Sequence, residues 1–166
     1  MIKTKLVGLL ATASIAFSLP ALTHQSLAQT PTASDIAGVA SVVDGDTIEI
    51  HGTRIRLSGY DTPERGKRCG DMNVYQKAAF VLSDFIGART VICKPQETDR
   101  HGRTIATCAA GGIDLGSHMV RSGWGRDWPR YSEGKYADDE RVARQSEAGL
   151  WGLTCEAGLW SGRNYD

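Results

Sequence analysis

The sequence predicts a mainly β protein with helices, an α+β fold in which five short strands close into a small barrel and about three helices pack around it. Three observations predict it. Short β-rich runs joined by hairpin-length links fill residues 38–57, a helical spacing runs from 72 to 86, and two apolar runs flank a polar loop between 89 and 109.

The opening runs are residues 39–43, 47–50 and 53–57, separated by Asp44-Gly45-Asp46 and His51-Gly52. Apolar, β-branched runs punctuated by such turn residues read as a three-stranded meander. In the third run Ile55 and Leu57 share one face while Arg54 and Arg56 share the other, so one side supplies core and the other cationic groups. Residues 58–71 form a Gly- and charge-rich loop. Val74, Ala78, Val81, Leu82 and Phe85 then recur at helical spacing, with Gly87 where a helix stops. Residues 89–93 and 104–109 read as two more strands. Asp114 is placed to cap a short helix ending at Gly123, and a third helix is expected over 135–148. Hairpin-length links without a crossover helix favour a small closed β-barrel over a parallel α/β sheet, and the five-stranded OB-fold barrel is the natural candidate.

The N-terminus is a separate matter. Lys3 and Lys5 precede an uncharged run from Leu6 to Leu22 that Pro20 interrupts, and Ser26-Leu27-Ala28 follows as a small-x-small step. This is the pattern of a secretory signal over residues 1–28, too short for a comfortable bilayer span. Residues 29–37 are expected as a flexible lead-in, 38–154 as the folded domain and 155–166 as a C-terminal tail. The expectation is a secreted or periplasmic monomer without stable membrane association. Loss of Lys3 and Lys5 tips the balance of 19 basic and 19 acidic residues toward the acidic side. A chain of that charge cannot coat nucleic acid by charge alone, so any phosphate contact must be local, where arginines converge.

Four cysteines lie beyond the signal: Cys69, Cys93, Cys108 and Cys155. An even number in an oxidising compartment reads as two disulfides; no C-x-x-C pair or matching His supports zinc. Cys93 and Cys108 sit mid-run in two strands that can pair, which favours Cys93–Cys108 with Cys69–Cys155.

Three short motifs carry chemistry. Asp44-Gly45-Asp46-Thr47 puts two carboxylates and a hydroxyl on one turn. Counted from Asp44, a helix-loop-helix calcium loop would need Gly and Glu where Glu49 and Ile55 stand, so that reading fails. Arg56 is followed closely by Asp61-Thr62-Pro63-Glu64, an arrangement suited to metal-assisted phosphate hydrolysis, with hard oxygen ligands for a divalent cation and a further carboxylate for water. Asp99-Arg100-His101-Gly102-Arg103 can deliver a second cation to the same phosphate. Singly, each also reads as a hairpin turn, a salt-bridged loop and a charged hairpin tip.

In this order and at these spacings the three motifs resemble the staphylococcal nuclease (thermonuclease) family, over roughly residues 39–152. The resemblance implies an OB-type barrel with three helices and a Ca2+-dependent nuclease acting on DNA and RNA, with single strands preferred. It makes Asp46 and Asp61 carboxylate ligands of the calcium and Thr62 its backbone carbonyl ligand. Glu64 matches the carboxylate that orients or deprotonates the attacking water, and Arg56 and Arg103 match the pair that grips the scissile phosphate. Asp44 is expected as a supporting turn residue near the metal, with Arg100, His101 and Tyr131 as weaker substrate contacts.

The sequence departs from the family at His101, which stands where a tyrosine is usual, and Trp128, Tyr131 and Tyr136 do not align unambiguously with base-facing aromatics. Two other readings stay open at this point. One is a catalytically weak barrel of the same type that grips single strands by stacking and charge. The other is an exported OB-type domain for saccharide or protein, which would leave the acids and arginines without a purpose.

Overall fold

The computed structural model describes residues 34–163 and 165; the expected signal segment and most of the lead-in lie outside them. Nine strands and five α-helices follow in the order β1 (Ile36–Val39), β2 (Ser41–Asp44), β3 (Thr47–Ile50), β4 (Thr53–Leu57), β5 (Tyr60–Asp61), α1 (Val74–Ile86), β6 (Thr90–Thr98), β7 (Thr104–Ala110), β8 (Ile113–Asp114), α2 (Leu115–Arg121), β9 (Arg126–Asp127), α3 (Pro129–Ser132), α4 (Ala137–Gln145), a 3-10 turn at Gly149–Gly152, and α5 (Glu156–Leu159).

The main sheet runs β1-β6-β7-β4-β3-β2, with β8 added to β7. Every pair is antiparallel except β4 with β7. Only Ala40 separates β1 from β2, yet these lie at opposite ends of the strand order. One bent strand thus serves both edges and curls the sheet into an OB-like, partly closed barrel. The expected first strand is this bent pair, and it starts at Ile36, inside the stretch expected as lead-in. The expected fourth strand is also longer: β6 runs to Thr98, with a register shift between Pro95 and Glu97 that lets a proline sit in the hairpin.

The alternation read in β4 is present, since Ile55 and Leu57 are buried and Arg54 and Arg56 lie on the other face. The barrel interior is filled by Ile48, Ile50, Ile55, Leu57, Val91 and Ala106, closed on one side by α1 and α2. Helix α1 buries Val74, Ala78, Leu82 and Ile86, a stripe at four-residue spacing. Its first turn is capped by the Asn73 side chain, which accepts from the Gln76 amide at 3.1 Å.

Helix α2 is capped by Asp114 as expected. The third expected helix is shorter, Ala137–Gln145, with three acidic side chains in its first turn. Helices α3 and α5 are additional to the three expected. Helix α5 belongs to the stretch expected as a tail, and that expectation is corrected. Leu159 and Trp160 are buried with Val74 and Leu150 in a second apolar cluster, and a Cys69–Cys155 disulfide ties the segment to the loop before α1. The other disulfide joins Cys93 to Cys108, which face each other in the β6–β7 register. Both pairings are those favoured from the sequence.

Candidate active site

The site sits at the end of the barrel where the β2–β3 turn, the end of β4 and the short β5 meet. The Leu57 amide donates to the Asp46 carbonyl at 2.8 Å, fixing the turn against the end of β4. Inside the turn the Asp46 amide donates to Asp44 Oδ1 at 3.2 Å, so Asp44 helps shape the turn. Gly45 is required by close approach: a Cβ there would lie 2.9 Å from both the Thr62 side chain and the Ala78 Cβ. The buried Tyr60 hydroxyl donates to the Gly45 carbonyl at 2.9 Å, which ties the turn to β5. Burial and the nearby Asp46 carboxylate push the Tyr60 phenol well up, so it stays a neutral donor.

These constraints bring four expected residues together. Arg56, whose Cα pairs with Thr47 across the β3–β4 ladder, donates to Asp46 Oδ1 at 2.9 Å and reaches Asp61 Oδ1 at 3.4 Å. The Thr62 hydroxyl donates to Asp46 Oδ2 at 3.3 Å, and the Thr47 hydroxyl to Asp46 Oδ1 at 3.1 Å. Burial pushes the Asp46 carboxyl up to about 7; Arg56 opposes this, while the negative charges of Asp44 and Asp61 add to it. Burial works against the charge of Arg56 too, but Asp46 and Asp61 more than restore it and raise the guanidinium above its ordinary value.

The ensemble is therefore short of positive charge. The buried Asp46 and Asp61 carboxylates both converge on the Arg56 guanidinium, and the hydroxyls of Thr47 and Thr62 lie beside Asp46. Among the described residues no ready-made cluster of three His, Cys, Asp or Glu ligands occurs. The set Asp46, Asp61 and Thr62 nonetheless fits a hard divalent cation such as calcium, with water completing the shell.

The turn opens onto a cavity of about 790 Å³ whose lining includes Asp44, Asp46, Arg56, Thr62, Glu64, Arg100, His101, Arg103 and Tyr131. All the expected substrate contacts thus reach one cleft. Arg103 is not bonded to the Asp46 group. It lines the same cleft from the β6–β7 loop, where its Nε and Nη2 reach Asp99 Oδ2 at 2.8 and 2.7 Å. Asp99 Oδ1 takes the amides of His101 and Arg103, both at 2.9 Å. Desolvation is the largest single influence on Asp99 and pushes it up, but the hydrogen bonds from Arg103 and His101 and the Arg103 charge together outweigh it and hold the carboxyl below its ordinary range. Tyr136 is in the core instead: its hydroxyl donates to Asp114 Oδ1 at 3.1 Å and its ring meets Tyr60 edge-on.

Sequence reasoning missed the chain end. Arg163 lines the cleft, its Nε lies 3.3 Å from Asp61 Oδ2, and its guanidinium pairs with Glu64. The Tyr165 hydroxyl donates to the same Asp61 oxygen at 2.8 Å. Trp128 also lines the cleft, between Tyr131 and Tyr165. The one available signal was the pairing of Cys155 with Cys69, which returns the tail to the loop bearing Glu64.

Comparison with known proteins agrees with this architecture. The model of the family "Staphylococcal nuclease homologue" matches residues 54–152. A protein of Rhizobium meliloti (strain 1021), "Succinoglycan biosynthesis protein ExoI", is 36% identical over 154 residues, covering 87% of this chain and 78% of its own. "Protein ParB" of Escherichia coli is 30% identical over 132 residues, 68% of this chain and 70% of its own. "Probable endonuclease LCL3" of Scheffersomyces stipitis is 30% identical over 111 residues, 60% of this chain; the match spans 47% of that longer protein. A barrel with an acid–arginine cleft at one end defines an OB-type domain of the nuclease kind. This chain belongs to the staphylococcal nuclease homologue family.

Proposed function

We propose that the protein is an exported, calcium-dependent phosphodiesterase that hydrolyses DNA and RNA, with single strands preferred. The observation that carries the reading is the buried Asp46–Arg56–Asp61 set, which opens onto the cleft that also holds Glu64 and Arg103. Export rests on the N-terminal pattern of residues 1–28.

A phosphodiester anion repels a nucleophile, so a catalyst must favour the extra negative charge that develops at phosphorus. Arg56 and Arg103 both line the cleft, and their planar guanidinium groups suit two-pronged contact with phosphate oxygens. Asp99 keeps Arg103 aimed while leaving its Nη1 edge uncommitted to that carboxylate. Glu64, largely exposed at the cleft wall, orients water or accepts its proton. Asp46, Asp61 and Thr62 would hold calcium, which when bound supplies positive charge against the phosphate and a polarising centre for water.

The reading is tested by release of acid-soluble nucleotide from denatured DNA and from RNA. Activity is expected with calcium, with little in magnesium, whose tight octahedral demand suits this irregular donor set poorly. Full activity in excess EGTA with magnesium present would contradict it.

A further inference from the structure

In the described structure each carboxylate oxygen of Asp46 and Asp61 already faces a donor. Asp46 Oδ1 takes Arg56 and Thr47, Asp46 Oδ2 takes Thr62, and Asp61 Oδ1 faces Arg56. Asp61 Oδ2 is taken twice, by Tyr165 at 2.8 Å and by Arg163 at 3.3 Å. The same Arg163 guanidinium pairs with Glu64. The chain end thus lies on one residue of the cation set and on the carboxylate assigned to water.

A cation bound by Asp61 needs an oxygen lone pair and is repelled by a guanidinium on the same carboxylate. Something must therefore yield. Arg56 is borne by β4, inside the sheet between β3 and β7, and is paired with both acids. Arg163 and Tyr165 lie beyond α5, outside any strand or helix. Their last firm anchors are the buried Trp160 and the bonds from Lys67 Nζ to the Gly158 carbonyl (2.9 Å) and the Ser161 hydroxyl (3.2 Å). Tyr165 is further held by ring contacts with Arg126 at 3.9 Å, Trp128 at 5.5 Å and Trp160 at 6.3 Å. Moving the chain end breaks fewer constraints than moving β4.

We propose that Arg163 and Tyr165 form a strap that competes with calcium for Asp61 and Glu64, so that cation loading and release of the chain end are one linked equilibrium. It rests on the calcium reading of the site given above. By linkage, the strap weakens calcium binding by the factor with which calcium weakens the strap. The apparent affinity is reduced in proportion to the fraction of molecules with the strap closed.

The test uses the full mature chain and CaCl2 as the probe. Arg163→Gln combined with Tyr165→Phe removes the competing charge and hydroxyl but keeps Trp160 and the Cys69–Cys155 anchor. Calorimetric titration should show calcium binding tightened roughly tenfold in the double variant, as expected when a mostly closed state no longer competes. A second readout needs no variant: hydrogen exchange over residues 161–165 of the parent, followed by mass spectrometry, should be faster in CaCl2 than in EGTA. Equal or weaker calcium binding in the double variant, or exchange indifferent to calcium, overturns the strap and leaves the nuclease reading standing. No calcium binding by parent or variant overturns both.

Discussion

Two parts of the molecule reach the same carboxylate by different means. Asp61 Oδ1 is met by Arg56, a residue of the barrel held in register by β3 on one side and β7 on the other. Asp61 Oδ2 is met by the chain end, held there by one disulfide, one apolar cluster and a few polar contacts. The barrel's half of the site is built by ladder geometry, which fixes side-chain direction residue by residue. The other half is delivered by a segment that closes a long loop. The first kind of placement gives fixed geometry; the second gives geometry that can be withdrawn at modest cost.

The largest expected effect lies on the barrel side. Arg56→Lys keeps the charge but loses the planar fork, and should lower single-turnover cleavage of a short single-stranded oligonucleotide at saturating calcium by roughly 10²–10³-fold. Glu64→Gln should fall by a similar factor while calcium binding is little changed. Rates within a few-fold of the parent for both variants would remove these residues from the chemistry.

Next in size is the contrast in stability. Ile48 is fully buried in the barrel, and Ile48→Ala should reduce unfolding stability in urea by about 2–5 kcal/mol, the usual range for emptying such a site. Trp160→Ala removes a larger side chain from the second cluster. It should shift the urea midpoint less, because the segment can open locally, and should show instead as faster hydrogen exchange over residues 156–163. Equal midpoint shifts would mean that barrel and chain end unfold as one unit.

A smaller effect follows from Asp46. Its folded carboxyl is raised by burial to about 7 from an ordinary 3.8, so the folded state binds more protons than the unfolded one. That contribution is fully present below about pH 4 and is lost as pH rises through about 7. In EGTA, stability should therefore decline over this window, and Asp46→Asn should flatten the decline. Calcium requires the ionised carboxylate, so its stabilising effect should grow over the same window. Thermal melts in EGTA and in CaCl2 from pH 5 to 8 check both signs.

What could be read beforehand follows the same division. The alternation Arg54-Ile55-Arg56-Leu57 and the turn at Gly45 are local patterns, so β3 and β4 were legible, while the contact of Asp46 with Arg56 follows from the ladder that pairs Thr47 with Arg56. The disulfides were legible because Cys93 and Cys108 lie mid-strand in runs that could pair. The bend at Ala40 was not, since it is the pairing of Ile36–Val39 with Thr90–Cys93, far along the chain, that marks this segment as a strand. Arg163 and Tyr165 were not legible either: nothing in Ser161-Gly162-Arg163 shows a period or a turn that points to Asp61. Their placement depends on Cys155 and Trp160, which act across long sequence separations.

The smallest expected effect tests whether Arg103 belongs to the built or the withdrawable kind of placement. It sits on a hairpin loop, yet both its backbone and its side chain are tied to Asp99, so the loop carries its own brace. The brace is close to solvent, and pairs of that kind contribute about 0–1 kcal/mol. Asp99→Asn keeps the shape and the amide contacts to Oδ1 but weakens the charged contact, so turnover should drop by up to about fivefold, the equivalent of that range. Because hydrogen bonds hold Asp99 below its ordinary carboxylate range, the brace should persist through mildly acidic pH and fail only at lower values. The parent and Asp99→Asn should therefore differ by a constant ratio of single-turnover rates from pH 6 to 9. A loss of 10²-fold would show that the brace, not the β6–β7 ladder, positions Arg103. A ratio that closes between pH 6 and 7 would show that some other group holds it.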